Sequence, residues 1–89
     1  MSYKYETERA TLFTESGVVI LLSVHDEARR LIAEAGACTS GKAMGKTTGS
    51  SWTMLAALDY LVEQGRLRRV TLPDTTRGQD QIFISGHDQ

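Results

Sequence analysis

Apolar residues recur at three- and four-residue steps in two stretches of this chain, a spacing that predicts two long amphipathic helices. In the first, Leu21, Val24, Ala28, Leu31, Ile32 and Ala35 form one stripe, while Asp26, Glu27, Arg29, Arg30 and Glu34 fall off it. Thr14-Glu15-Ser16 supplies a capping hydroxyl and then an acid in the first turn, and Gly36 stands where helices commonly stop. Residues 17–22, Gly-Val-Val-Ile-Leu-Leu, are β-rich and apolar on every side, which also suits a strand with the helix starting at Ser23. The stripe runs unbroken through them, so helix is the preferred reading. The second stretch opens at Ser50 or Ser51 and ends near Gln64, with Gly65 closing it. Here Met54, Leu55, Leu58, Leu61 and Val62 gather on one face, and Trp52, Thr53, Ala56, Tyr60 and Glu63 on the other.

The remaining segments read differently. Residues 1–13 are polar and charged, and they form an arm expected to lay its last residues on the core, with Tyr3, Tyr5, Leu12 and Phe13 as anchors. Residues 37–49 are small and glycine-rich and leave room for at most one helical turn around Gly41–Lys46. Residues 66–72 and 79–85 carry strand patterns, with Leu67, Val70 and Leu72 in the first and Ile82, Phe83 and Ile84 in the second. Between them Pro73-Asp74-Thr75-Thr76-Arg77-Gly78 is turn chemistry, so a β-hairpin with a polar tip is expected. The domain so defined runs over residues 14–85, with 86–89 as a short tail.

Composition bounds the function. A chain of 89 residues, 40% apolar and 24% charged, suits one globular domain. Its formal net charge of −1 argues against indiscriminate binding to polyanions. Cys38 is the single cysteine, which forbids an internal disulfide and suits a reducing cytosol, and it is expected to serve as a small buried apolar residue. Neither His25 nor His87 has a second ligand at metal spacing, so no metal or cofactor is expected. No apolar run is long enough to cross a bilayer and the N-terminus lacks a signal-peptide pattern, which points to the cytoplasm and away from membranes.

Catalytic motifs are lacking. Gly41-Lys42-Ala43-Met44-Gly45-Lys46-Thr47 brushes against a nucleotide-binding P-loop, yet three residues separate the glycines where four are needed, and the preceding segment is helical rather than a strand. No Ser-His-Asp or Cys-His spacing suggests a nucleophile, so the chain does not read as an enzyme. The basic residues are more informative. Between Glu34 and Asp59 the only charges are Lys42 and Lys46, and Arg66, Arg68 and Arg69 follow the second helix, with Arg77 at the hairpin tip. Such residues around a helix N-terminus suit phosphate oxygens.

Ser51-Trp52-Thr53-Met54-Leu55-Ala56-Ala57-Leu58-Asp59-Tyr60-Leu61-Val62-Glu63-Gln64-Gly65-Arg66-Leu67 is a leucine ladder that ends in glycine and a hydrophobic strand. Together with the preceding helix and connector it resembles winged helix-turn-helix domains, in particular small phage and bacterial ones, over residues 14–85. The resemblance implies an α+β fold, a helical core plus a C-terminal two-stranded wing. It implies a homodimeric transcription regulator on duplex DNA, with the second helix in the major groove. Bases would be met by Trp52, Thr53, Ala56 and Tyr60 and phosphates by Lys42, Lys46, Arg69 and Arg77, with Ser51 and Arg68 also among the DNA-binding residues. The outer face of that helix, however, lacks the Arg, Asn or Lys side chains that usually read bases. Trp52 and Tyr60 beside alanines equally suit a protein partner, as in a small inhibitor or adaptor. Val19 and Leu22 lie off the main stripe of the first helix, and a second copy of the chain would cover them.

Overall fold

A computed structural model describes residues 3–45, 47–70 and 81–86. The chain order is α1 (Tyr5–Glu8), a 3₁₀ helix (Arg9–Phe13), α2 (Glu15–Ala35), β1 (Cys38–Thr39), α3 (Ser40–Met44), α4 (Ser51–Glu63), β2 (Leu67–Val70) and β3 (Ile82–Ser85). The architecture is α+β, mostly helical, with a small antiparallel sheet of order β1-β3-β2. The turn expected at residues 73–78 lies outside the described residues.

Residues 17–22 are helical, which decides the ambiguity between helix and strand. Thr14 caps α2, its hydroxyl accepting from the Gly17 amide at 3.1 Å, and Gly36 ends it in the left-handed region at φ +85°. Their β propensity yields because Gly17 and Ile20 are buried together with Val24 and Ala28, a helical spacing. Ala35, expected on the stripe, is exposed in the last turn. Gly17 is also a point of close approach: a Cβ there would lie 1.8 Å from the Thr11 carbonyl oxygen, so only glycine admits the 3₁₀ helix against α2.

α4 is the central element. Thr53, Met54, Ala56, Ala57, Leu58 and Leu61 are all buried, so apolar contact surrounds the helix more widely than one face. It packs on α2, on the arm and on β2. The core is Leu12, Ile20, Val24, Ala28, Cys38, Ala43, Met54, Ala56, Ala57, Leu58, Leu61, Leu67 and Phe83, a single cluster. Cys38 is buried in it as expected, and burial pushes its thiol pKa up.

The hairpin of β2 and β3 pairs Leu67 with Ser85 and Val70 with Ile82. A third strand was not legible: Cys38–Thr39 pairs with Phe83 and Ile82 on the other side of β3. The Ser40 amide then donates to the Gln81 carbonyl at 2.9 Å, and the Gln81 amide donates back to the Ser40 hydroxyl at 3.2 Å. Two residues in a glycine-rich connector show no alternation, so their pairing is set by β3 rather than by local pattern. The single helical turn expected around Gly41–Lys46 is α3, capped by the Thr39 hydroxyl at 3.3 Å from the Lys42 amide.

Candidate functional site

The face of α4 opposite the leucine ladder is where a base-reading or partner-reading surface was expected. The chain's own N-terminal arm covers it. Two carboxylates one helical turn apart, Asp59 and Glu63, receive the arm's two tyrosines. The Tyr3 hydroxyl donates to Asp59 Oδ2 at 2.7 Å, and the Tyr5 hydroxyl donates to Glu63 Oε1. Arg9 Nε also donates to Glu63 Oε1, at 3.1 Å. Further along, the Thr11 and Thr53 hydroxyls meet at 3.5 Å, and the Phe13 ring stands edge-on to Tyr60 with centroids 5.7 Å apart. The Arg9 guanidinium lies 5.3 Å from the Phe13 ring centroid and 5.4 Å from that of Tyr60, close enough for cation–π attraction to both.

These contacts tune their own ionisation. Burial, then the hydrogen bond to Glu63, pushes the Tyr5 phenol up to about 12. Tyr3 is pushed higher still, by burial and then by Asp59. Glu63 is held below the usual carboxylate range by the hydrogen bonds from Tyr5 and Arg9. At neutral pH the latch therefore holds both phenols neutral and the Glu63 carboxylate charged.

This arrangement corrects part of the sequence-based site. Thr53 and Ala56 are buried, and Tyr60 is half-covered beneath Phe13 and Arg9, so none of the three is open to a base edge while the arm is docked. Arg69 is committed within the fold: its guanidinium donates to Asp59 and, through Nε, to Gln81 Oε1 at 3.2 Å, and it lies 5.6 Å from the Phe83 ring centroid. Ser51, Lys42 and Arg68 are exposed, and Trp52 is half-buried. Lys46 and Arg77 lie outside the described residues. Among the described residues of that set, Lys42, Ser51 and Arg68 are exposed, whereas Thr53, Ala56 and Arg69 are engaged within the fold. The docked arm could have been suspected from two tyrosines two residues apart near the N-terminus and two acids four residues apart on one helix face.

A second surface is uncovered. Val18, Val19 and Leu22 share one outer side of α2, at one-, three- and four-residue steps. Val19 is 63% and Leu22 57% exposed, and Phe13, immediately before the helix, is also 57% exposed. Val19 and Leu22 are the two residues expected to lie outside the core.

Among the described residues no three His, Cys, Asp or Glu side chains converge as metal ligands, and no helix is long and apolar enough to cross a membrane. Comparison of the chain with protein-family models, with curated proteins and with solved structures yields no match.

Proposed function

We propose that the chain is a winged helix-turn-helix domain that works as a protein-interaction module, with a second copy of itself as its first partner. The element order of α2, a short connector, α4 and the β2–β3 hairpin supports the fold assignment. The observation that carries the functional reading is an exchange of roles between two faces. The polar and aromatic side of α4 is occupied by the arm, whereas the Val18, Val19 and Leu22 side of α2 is exposed. Apolar clusters of this kind are usual at protein contacts, and a helix face packed on its own copy about a two-fold axis sets Val19 against Leu22. The test is the solution mass by sedimentation across a micromolar concentration series. A dimer lost in Leu22→Glu supports the reading; a strict monomer at high micromolar concentration overturns it.

Operator DNA is the second reading, favoured by the exposure of Lys42, Ser51 and Arg68 around α4 and β2. In it these residues, with Lys46 and Arg77, would hold phosphates, and specificity would come from elsewhere than Thr53 and Ala56. Selection from a mixed duplex pool over a salt series separates the two. An enriched motif whose binding falls steeply with salt establishes DNA binding, and no retention at low salt excludes it.

A further inference from the structure

An open cleft of about 730 Å³ lies between the C-terminal half of α2 and the base of the hairpin. His25, Asp26, Arg29 and Arg30 border it from α2, Arg66 from the corner after α4, and Ser85 from β3. Ile32, Ala33 and Leu67 give it an apolar floor.

The three arginines are not equivalent. Arg30 is spoken for: it donates to Glu27 and, at 2.9 Å, to Glu34. Arg29 and Arg66 carry no carboxylate partner among the described residues, although Asp26 stands beside them. They come from different elements, so a ligand bridging them spans the α2–hairpin junction. The cleft's volume lies within the range of small-ligand sites. Half-buried His25 sits close enough to both for their charge to be felt. Its pKa is lowered by burial first, then by Arg29 and by Arg66, against a smaller opposing effect of Asp26.

We propose that this cleft binds the monoester of phosphoric acid with an apolar or aromatic alcohol, the phosphate between Arg29 and Arg66 and the organic part over Ile32 and Ala33. Two guanidiniums without described partners match a dianion, and a phosphate monoester is close to doubly charged at neutral pH. The planar guanidinium fork suits phosphate oxygens better than an ammonium would. A bound dianion also offsets the repulsion that Arg29 and Arg66 exert on protonated His25, so binding and His25 protonation reinforce each other. The charged groups facing His25 are Asp26 and Arg29 on α2 and Arg66 across the cleft; Arg30 is balanced by Glu27 and Glu34.

The experiment is a titration of the intact chain with phenyl phosphate and, separately, inorganic phosphate at constant ionic strength. The carbon-bound ring protons of His25 are followed by NMR between pH 5 and 8. The expected result is a saturable shift, a His25 pKa that rises with ligand, and tighter binding of phenyl phosphate than of inorganic phosphate. Arg29→Gln and Arg66→Gln should each weaken phenyl phosphate about tenfold through loss of a charge-assisted contact. Arg66→Lys, which keeps the charge but not the fork, should fall between. Both side chains are exposed, and an unchanged near-UV circular dichroism spectrum checks that each variant is folded. A shift that follows salt alone, equal binding of the two phosphates, or wild-type affinity in folded Arg29→Gln and Arg66→Gln overturns the proposal.

Discussion

At the scale of single residues, the chemistry that shapes the molecule is carried by Gly17, Tyr5 and Glu63. Gly17→Ala forces a methyl into the Thr11 carbonyl, so the arm must move away or the start of α2 must shift. Faster amide exchange at Thr11–Phe13 and a lower melting temperature are the expected outcome. The latch also fixes the direction of the pH response. Glu63 has a depressed folded pKa, so its contribution is present above the unfolded carboxylate range and is lost as pH falls through the folded value. Tyr5 has a raised one, so its contribution holds below pH 10.0 and is lost between there and about 12. His25, with a lowered pKa, adds to the loss on the acid side, because below its ordinary value the unfolded chain takes up more protons. Denaturation midpoints should therefore fall at both ends of the pH range, with Tyr5→Phe and Glu63→Gln reducing the alkaline and acid dependence respectively. Conformational demands such as the Gly36 cap were readable in advance. The need for glycine at 17 was not, because it arises from a segment folded back from before the helix.

At the scale of elements, periodicity located α2 and α4 because each buries a helically spaced set of side chains, and apolar β-rich runs on either side of turn chemistry located the hairpin. Periodicity failed for β1, whose two residues are a strand only because β3 lies beside them, and it understated α4, whose second face is covered by the arm. The arm, expected to lay its last residues on the core with Tyr3 and Tyr5 among its anchors, makes contact at Tyr3 and Tyr5 as well as at Leu12. Leu12, fully buried, anchors it to the core. Leu12→Ala should cost about 2–5 kcal/mol in chemical denaturation, the range for a buried leucine truncated to alanine. Thr14→Ala, which removes the α2 cap and the bond that the same hydroxyl donates to the Thr11 carbonyl, should cost about 1–2 kcal/mol. A Leu12 effect no larger than the cap effect would mean that the arm contributes little to folding.

At the scale of the whole molecule, the candidate surfaces are the latched face of α4, the bare apolar face of α2 and the basic cleft at the hairpin base, the last two following one another along α2 at helical spacing through Val19, Leu22, Asp26 and Arg29. Sequence patterning identified the exposed Val19 and Leu22, since a residue off the stripe has no neighbour within its own helix. It could not show the cleft, because Arg29 and Arg66 are brought together by the packing of α2 on the hairpin. If the apolar face is the contact between copies, Val19→Glu should abolish self-association while leaving the melting temperature of the monomer within about 2–4 °C, what an exposed substitution costs in a domain of this size. β3 is made last and lies in the middle, with β1 and β2 each hydrogen-bonded to it and not to one another. While the ribosome is still building residues before Ile82, both outer strands wait without a neighbour, and Phe83 is missing from the core. The sheet therefore closes only once β3 has been made, and a nascent chain halted before that point presents an unpaired β2 and a Cys38–Thr39 segment with no neighbour to make it a strand.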